Sequence, residues 1–365
     1  MNIFSSIKIL DLTRVFSGPF ATRHFSDFGA EVIKIEPIQG DDSRHYPPIK
    51  GNWSGYFEIL NHNKKSLVLD LKNDLDLNTF YMLCKDSDVI VENFTPNIKN
   101  KLRIDYETIK KINSKIIYAS ISGISDRTNK KYYDIIAQAE SGLISLNGMS
   151  EDMKNATSVV DAFSGMKLAF AISTALYSRE ITKEGCQLNV SMKGSAFDLL
   201  EQNLIATSVS KTNPAKVGNM DNAIAPFGIF KTRDNSIALA IGNDKQWEEL
   251  SSFLQTQSNI FPTELFLTNS LRLANIDRLV VEIENIFQKY SAAELIDILN
   301  QMGISSGKVN KMSDVIDDQE NYEEKLLEKV THPTIGEIVL PTGGIFFSNH
   351  KKENYVPAPT LSQKK

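Results

Sequence analysis

Residues 8–36 read KILDLTRVFSGPFATRHFSDFGAEVIKIE, and this stretch decides the fold class. The apolar segment Lys8–Leu12 predicts a strand, and Glu31–Ile35 predicts a second one. Between them the pattern predicts a helix over Phe20–Phe28 that ends at Gly29, because glycine readily takes the left-handed conformation that follows many helices. A strand, a helix and a strand in this order form a β-α-β unit, which indicates a parallel sheet.

The same alternation continues to about residue 205, so we expect a doubly wound parallel sheet. The further predicted strands are Ser66–Asp70, Asp88–Glu92, Ile116–Ser120 and Cys186–Ser191. The predicted helices are Leu75–Lys85, Tyr106–Ile112 and Ser164–Glu180.

A polar stretch at residues 211–224 predicts a domain boundary. We expect a large Rossmann-like domain formed by residues 1–205 together with 329–365, and a smaller α+β domain at residues 222–328. The elements predicted after the boundary are a strand at Ser236–Ile241, a helix from Asp244 and short β segments over Ile335–Phe347.

Composition excludes several classes of protein. The formal net charge of -5 disfavours a nucleic-acid-binding protein. The longest mostly apolar run is half of the roughly 20 residues that a membrane span needs, and no secretory signal pattern is present, so we expect a cytoplasmic protein with no membrane partner. Cys84 and Cys186 do not make a disulfide framework, and no cluster has zinc-ligand spacing, so no metal is expected.

The first β-α-β unit also invites a dinucleotide-binding interpretation. Glu36 ends the second strand, where such proteins place the residue that holds the ribose. The turn TRVFSGPF contains only Gly18, however, whereas the fingerprint has three glycines. NAD binding is therefore disfavoured.

Asp161, in SVVDAFSGMKLAFAISTALY, is the strongest single candidate for a functional residue. It precedes a helical pattern, which is typical of a helix N-cap. The positive end of a helix dipole favours a carboxylate anion, so we expect Asp161 to stay ionised and to be able to act as a nucleophile. Backbone N–H groups near Asp161 are candidate oxyanion donors.

Basic residues gather in the first half of the chain. Strand ends of doubly wound sheets bind ligands, so these side chains are either phosphate partners or a solvated face. The group comprises Lys64, Lys65, Lys72, Lys99, Lys101, Arg103, Lys130 and Lys131.

Eight blocks follow one another over roughly residues 8–312: the residue 8–36 block, GDDSR, NHNKKSLVLDLK, SDVIVENFTPN, YDIIAQAESGLISLNG, VVDAFSGM, IAPFGIFKTRDNSIALAIGNDKQW and GISSGKVN. Together, and in this order, these blocks resemble the class III CoA-transferases of the CaiB/BaiF type. That family includes the formyl-CoA, carnitine and bile-acid CoA-transferases and the α-methylacyl-CoA racemases.

The resemblance implies CoA transfer between carboxylic acids, with Asp161 as the nucleophile that forms a mixed anhydride and then an aspartyl-CoA thioester. CoA is implied as a substrate, with no metal or redox cofactor, and an interlocked homodimer is implied. The positions that match the family's CoA contacts are Phe16, Ser17, Leu69, Asp70, Leu71, Lys72, Asn93, Phe94, Thr95, Lys101, Lys130, Lys131, Tyr132 and Tyr133. Lys72, Lys101 and Lys131 are the candidate phosphate partners.

Two alternatives stay open. The racemases use a histidine that matches Tyr133 here, and a tyrosine is a poor general base at neutral pH. The other alternative is an acyl-CoA-binding protein without catalysis. Phe16 stands where formyl-CoA transferase has glutamine, and residues 219–227 lack its glycine run, so we expect an acyl group larger or less polar than formyl.

Overall fold

The computed structural model describes residues 2–361; residues 1 and 362–365 of the predicted large domain lie outside the described part. The strands are β1 (Lys8–Asp11), β2 (Glu31–Glu36), β3 (Ile49–Lys50), β4 (Trp53–Ser54), β5 (Lys65–Val68), β6 (Val89–Glu92), β7 (Ile117–Ser122), β8 (Cys186–Ser191), β9 (Phe227–Lys231), β10 (Ser236–Ala240), β11 (Ser305–Lys308), β12 (Leu327–His332) and β13 (Gly336–Pro341).

The helices alternate with these strands in the first half of the chain. They are α1 (Ser17–Asp27), α2 (Gly55–Asn61), α3 (Asp74–Lys85), α4 (Pro96–Leu102), α5 (Tyr106–Ile112), α6 (Asp134–Ser141), α7 (Leu143–Leu146), α8 (Val159–Thr182), α9 (Met192–Leu199), α10 (Glu201–Ser210), α11 (Asp244–Gln257), α12 (Asn269–Ala274), α13 (Ile276–Phe287), α14 (Ala292–Gln301), α15 (Met312–Asp317) and α16 (Glu320–Glu323). Short 3₁₀ helices cover Asp42–His45 and Thr263–Leu265.

The central sheet is parallel and has the strand order β5-β2-β1-β6-β7-β8. When only the six strands of this sheet are numbered along the chain, the order is 3-2-1-4-5-6, which is the doubly wound order. The chain reverses its direction of winding between β1 and β6, where Ile9 pairs with Val89. Ligands of such sheets bind at the carboxyl ends of the strands beside this reversal. The predicted α/β fold with a large parallel sheet is therefore confirmed.

Both faces of the sheet are covered by helices, which explains its near-continuous apolar strands. Successive side chains of a strand point to opposite faces, so Ile9 packs in one core and Leu10 in the other. The first core includes Phe25 of α1 and Ile172 of α8, and the second includes Phe80 of α3.

The described chain divides into two compact units. The second unit comprises Ile144–Met153 and Ile205–Asp318, and the first comprises the rest. The sequence placed residues 144–153 in the large domain and residues 319–328 in the small one, so the structural division differs at both places. Neither short segment carries a composition change that would have marked it.

The second unit is built on the antiparallel sheet β11-β10-β9. Helices α11, α13 and α14 supply its core, which includes Phe230, Trp247, Leu250, Ile283 and Phe287. The predicted strand at Ser236–Ile241 and the helix from Asp244 are both present, as an α+β arrangement.

Two sequence predictions about element positions are wrong. The β segments expected over Ile335–Phe347 form an earlier hairpin, β12 with β13, and only its second strand falls in that range. Helix α8 begins at Val159 rather than Ser164, because its first turn is stabilised by contacts from a distant residue, Asp134.

Helix α8 is long and apolar enough to cross a membrane by length and composition alone. It packs against α1, β7 and β8, and Leu168 and Ile172 are fully buried in the core. We therefore interpret α8 as a core helix of the first unit.

Two buried ion pairs lie beneath the loop that follows β1. Lys64 Nζ donates to Asp11 Oδ2 at 3.0 Å and to Thr22 Oγ1 at 2.8 Å. Lys34 Nζ donates to Asp41 Oδ2 at 2.8 Å and to the Thr13 carbonyl at 2.8 Å. Burial lowers the pKa of Lys64 to about 8, although the charge of Asp11 opposes this.

Replacement of Lys64 by methionine should destabilise the protein strongly, because it leaves the Asp11 carboxylate buried without its cation. We expect a loss of about 3–5 kcal/mol for Lys64→Met. The matched control is Lys65→Met, whose ammonium group pairs with Glu31 at the surface and should contribute less than about 1 kcal/mol. Urea unfolding measures the free energy of unfolding of both variants. Equal losses would contradict a stabilising role of the buried Lys64–Asp11 pair.

Candidate active site

A cavity of about 890 Å³ lies in the first unit at the carboxyl ends of the parallel strands. Its walls come from the segments that follow β1, β2, β5, β6 and β7, together with the start of α8. It is lined by every sequence-predicted site residue: Phe16, Ser17, Leu69, Asp70, Leu71, Lys72, Asn93, Phe94, Thr95, Lys101, Lys130, Lys131, Tyr132, Tyr133 and Asp161. Their individual roles stay predictions.

Asp161 lies in the first turn of α8 but is not its N-cap. Ser158 occupies the N-cap position and makes no side-chain cap. The cap is supplied from α6 instead, because the N–H groups of Val160 and Asp161 donate to Asp134 Oδ1 at 2.9 and 3.2 Å. The predicted N-cap role of Asp161 is therefore wrong.

The same contacts correct the expected oxyanion donors. Asp134 accepts hydrogen bonds from two N–H groups of the first turn. The N–H group of Val159 donates to the Thr157 carbonyl, and the N–H group of Ala162 donates to the Ser158 carbonyl. The first-turn amides of α8 are thus occupied. At the facing helix α1, the N–H groups of Ser17 and Gly18 precede the first hydrogen bond of the helix, which Phe20 donates to the Phe16 carbonyl, and Pro19 has no N–H group.

The pKa of the Asp161 carboxyl lies above its ordinary value. Burial, and then the charge of Asp134, raise its pKa to about 7, and a hydrogen bond from the Ser17 hydroxyl opposes the shift. The helix dipole is expected to favour the ionised carboxylate, whereas burial and the charge of Asp134 favour its protonated form. A carboxyl that titrates near neutrality is typical of a functional site.

Helices α1 and α8 approach closely beside Asp161. A Cβ atom at Gly165 would lie 2.6 Å from the Ser17 carbonyl oxygen, so any side chain there would push α1 away. Gly165 therefore allows Ser17 to reach Asp161.

The loop between β1 and α1 is held by side chains on both sides. The Arg14 N–H donates to Asn93 Oδ1 at 3.1 Å, and Asn93 Nδ2 donates to the Arg14 carbonyl at 2.9 Å. Val15 has φ of 68°, which is strained for a β-branched residue, and its N–H donates to the Asp41 carboxylate at 3.2 Å. The buried Lys34–Asp41 pair therefore stabilises a conformation that the chain would otherwise avoid.

Aromatic rings form a wall next to Phe16. Phe16 stacks on Phe20 at a centroid distance of 5.6 Å and meets the edge of Tyr56 at 6.0 Å. Tyr46 contacts Tyr56 in turn at 5.3 Å. Burial and the charge of Asp161 raise the pKa of Tyr56 to about 12, so its phenol stays protonated beside Asp161.

The basic residues predicted from sequence divide into those that form ion pairs within the protein and those that do not. Lys64 and Lys99 are buried and paired with Asp11 and Glu92, while Lys65 and Arg103 form surface ion pairs. Lys130 pairs with Glu140, which also accepts from the Tyr132 hydroxyl at 2.6 Å. Within residues 2–361, the cavity-lining cations that make no ion pair are Arg14, Lys72, Lys101 and Lys131.

Sequence reasoning missed Asp134, Tyr56 and Arg14. Asp134 directly follows the predicted contact Tyr133 and opens α6, which is a detectable signal for a functional carboxyl. Tyr56 carries no such signal. Over the part of the chain that the structure describes, no group of His, Cys, Asp and Glu side chains could hold a metal ion, and no histidine lines the cavity.

A doubly wound domain with a cavity at its strand ends, lined by unpaired lysines and by a buried carboxyl of raised pKa, is typical of an α/β enzyme with an anionic substrate. The family model for CoA-transferase family III matches residues 4–365, and the chain belongs to that family.

Known relatives agree with this assignment. The chain is 32% identical to acetyl-CoA:oxalate CoA-transferase of Acetobacter aceti over 99% of this chain and 93% of that protein. It is 31% identical to succinyl-CoA:glutarate CoA-transferase of Mus musculus over 100% of this chain and 85% of that protein. A CaiB/BaiF family protein from Brucella suis superposes with a TM-score of 0.86 at 27% identity, over 99% and 97% of the two chains. The protein is thus an enzyme of the class III CoA-transferases.

Replacement of Asp134 by asparagine should lower the pKa of Asp161, because it removes the neighbouring charge and keeps an oxygen that can cap α8. We expect Asp161 reactivity towards acyl-CoA to rise through about pH 7 in the wild type and at lower pH in Asp134→Asn. The rate of hydroxylamine-trapped adduct formation measures this as a function of pH.

The raised pKa of Asp161 should also make the stability of the fold depend on pH. The folded protein holds the Asp161 proton from the ordinary carboxyl pKa up to about 7, whereas the unfolded chain loses it earlier. The Asp161 contribution to stability therefore falls as pH rises through this window. The melting temperature of Asp161→Asn should exceed that of the wild type more at pH 8 than at pH 5. In Asp134→Asn the stability change should shift to lower pH, and an unchanged pH range would contradict the effect of Asp134 on the pKa of Asp161.

Proposed function

We propose that this enzyme moves CoA from an acyl-CoA donor to a carboxylic acid acceptor through covalent intermediates on Asp161. The observation that carries the proposal is the meeting of Asp161 with all fourteen predicted CoA-contact residues in one cavity. Residues from the segments after four different strands come together there, and the sequence match alone did not require that.

The proposed reaction begins with attack of the Asp161 carboxylate on the donor thioester carbonyl. The carbon–sulfur bond breaks, CoA leaves as a thiolate, and a mixed anhydride with Asp161 forms. The thiolate then attacks the aspartyl carbonyl, the anhydride carbon–oxygen bond breaks, and the donor acid leaves as a carboxylate. Asp161 now carries CoA as a thioester.

The acceptor carboxylate repeats these steps in the opposite direction. It attacks the aspartyl thioester and displaces CoA thiolate, and the thiolate attacks the acceptor acyl carbon of the new anhydride. The new acyl-CoA leaves and the Asp161 carboxylate is restored. Each carboxylate attack replaces a carbon–sulfur bond by a carbon–oxygen bond, and each thiolate attack does the reverse. No step changes an oxidation state, so the proposal includes no redox group and no metal.

Specific residues support the individual steps. The Ser17 hydroxyl, which bonds Asp161, is placed to orient the attacking carboxylate. The N–H groups of Ser17 and Gly18 at the start of α1 are suitable donors to the developing oxyanion. Lys72, Lys101 and Lys131 are proposed as partners of the CoA phosphates, since none of them is paired with a carboxylate among residues 2–361.

We further propose dicarboxylic acids as the substrate class. The relatives named above transfer CoA to oxalate or glutarate, and a relative from Haloarcula hispanica, 30% identical, acts on succinyl-CoA and mesaconate. All of these acceptors carry two carboxyl groups. Phe16 and the aromatic wall fit an acyl group larger than formyl. Free Cys84 and Cys186 fit a reducing cytoplasmic compartment, which we propose as the location.

The test of the mechanism is intact-protein mass spectrometry after mixing with acetyl-CoA, succinyl-CoA or a medium-chain acyl-CoA, followed by hydroxylamine. We expect a hydroxamate on the Asp161 peptide of the wild type and none in Asp161→Ala. The matched control is Asp277→Asn, an exposed acid in the first turn of α13, which should behave as the wild type.

The outcomes separate the alternatives. No adduct with any donor, together with deuterium exchange at the α carbon of a branched acyl-CoA, would indicate a racemase. CoA binding with neither signal would indicate an acyl-CoA-binding protein without catalysis. An adduct confined to formyl-CoA would contradict the proposed acyl class.

We also propose a homodimer. Met166, Phe170, Tyr177 and Ile181 follow one another along one side of α8 and are exposed, while Leu168 and Ile172 bury the other side. A helix that is apolar on all sides is typically buried all round, so this stripe fits a subunit interface.

Light scattering at micromolar concentration should give twice the chain mass of 40.9 kDa. Phe170→Glu with Tyr177→Glu should weaken the assembly, whereas Val281→Glu, on the exposed side of α13, should leave it intact. A monomer in the wild type would refute the homodimer, and a dimer that separates on dilution would refute interlocking of the two chains.

A further inference from the structure

Arg14 is a cation that the proposed mechanism does not use. It lines the cavity, and its guanidinium carbon lies 5.9 Å from the centroid of the Phe94 ring. Its Nε atom is buried without a hydrogen-bond partner, and its side chain makes no ion pair with any of residues 2–361.

Other enclosed arginines of the described chain have a protein partner for their guanidinium group. The Nε atom of Arg23 also lacks a hydrogen bond, but that guanidinium donates to the Ile59 carbonyl at 3.1 Å and lies 4.0 Å from the Asp27 carboxylate. Arg44 donates two hydrogen bonds to Glu36, at 2.8 and 2.6 Å, and the buried Arg272 pairs with Asp244 at 3.3 Å. Enclosed charges and buried polar atoms are generally matched inside a protein, because leaving them without partners costs stability. The missing partner of Arg14 is therefore expected to come from a ligand.

The base of the Arg14 side chain is held in place. Asn93 clamps the Arg14 backbone with a hydrogen bond in each direction, and Asp41 fixes the strained backbone of Val15. The face of the Phe94 ring supports the guanidinium. A guanidinium oriented before the ligand arrives loses little freedom when it forms a fork with an oxyanion.

We propose that Arg14 binds an oxyanion of the substrate, through the paired N–H groups of its guanidinium. Two oxyanions can reach this cavity if the proposed function holds. One is the free carboxylate of a dicarboxylic acyl group, and the other is a phosphate of CoA. Arg14 is next to two segments that carry predicted CoA-contact residues. It precedes Phe16 and Ser17 in the loop, and it contacts the Asn93–Phe94 segment.

The test measures binding without chemistry. In the Asp161→Ala background, which cannot form the covalent intermediate, titration calorimetry gives the Kd of succinyl-CoA, butyryl-CoA and free CoA. These affinities are compared for Arg14, Arg14→Gln and Arg14→Lys. Butyryl-CoA has the size of succinyl-CoA but lacks the second carboxylate. The matched control is Arg278→Gln, a surface arginine of α13.

If Arg14 binds the carboxylate, Arg14→Gln should weaken the binding of succinyl-CoA about 10- to 100-fold and leave the affinities for butyryl-CoA and CoA unchanged. If it holds a phosphate, all three ligands should weaken by that factor. Arg14→Lys, which keeps the charge but not the fork, should fall between Arg14→Gln and Arg14.

Unchanged affinities for all three ligands in Arg14→Gln and Arg14→Lys would overturn the proposal. Thermal melting of each variant verifies folding, and Arg14→Lys alone decides the result if Arg14→Gln does not fold. Because calorimetry needs no turnover, this outcome is separate from failure of the Asp161 mechanism, which the trapped adduct reports.

Discussion

The carboxylate of Asp11, at the end of β1, is fully buried and needs a cation inside the protein. Lys64 supplies it, from the start of the segment that leads into β5, and the same ammonium group binds the Pro19 carbonyl and Thr22 of α1. One interaction therefore connects the first strand, the first helix and the edge of the sheet. Breaking a buried pair of this kind costs far more than breaking a surface pair, so the contact constrains the loop that begins above it.

That loop is where the architecture becomes a site. Between β1 and α1 the chain passes through a strained residue, Val15, which the Lys34–Asp41 pair stabilises. The strain is offset by buried charge–charge contacts whose partners come from β2 and from the segment after it. As a result, Arg14, Phe16 and Ser17 are presented to the cavity on a rigid support rather than on a flexible turn.

Asp161 and Asp134 illustrate a conflict between stability and reactivity. Asp134 uses one carboxylate oxygen to cap α8, which satisfies two amides that would otherwise lack partners. Burial, and then the charge of Asp134, raise the pKa of Asp161 and make its ionisation unfavourable. A carboxylate that is costly to ionise binds protons and electrophiles more readily than a solvated one, which suits attack on a thioester. The capping residue thus fixes the start of the helix and adds to the effect of burial on the pKa of the proposed nucleophile.

The six strands of the central sheet and their order along the chain follow from the residue pattern, because apolar periodicity is a local property. Helix α5 and strand β8 fall on the predicted residues, and the family motifs selected Asp161 and the CoA-contact positions. The tertiary structure alone decided which basic residues are free, since Lys64 and Lys99 meet their carboxylates only after distant segments pack. It also decided the start of α8, which depends on Asp134, 27 residues before Asp161 in sequence. The pKa of Asp161 depends on burial and then on the charge of the same residue. Local patterns carry hydrophobic spacing, but burial and charge pairing are properties of the folded chain, and here they control the chemistry of the site.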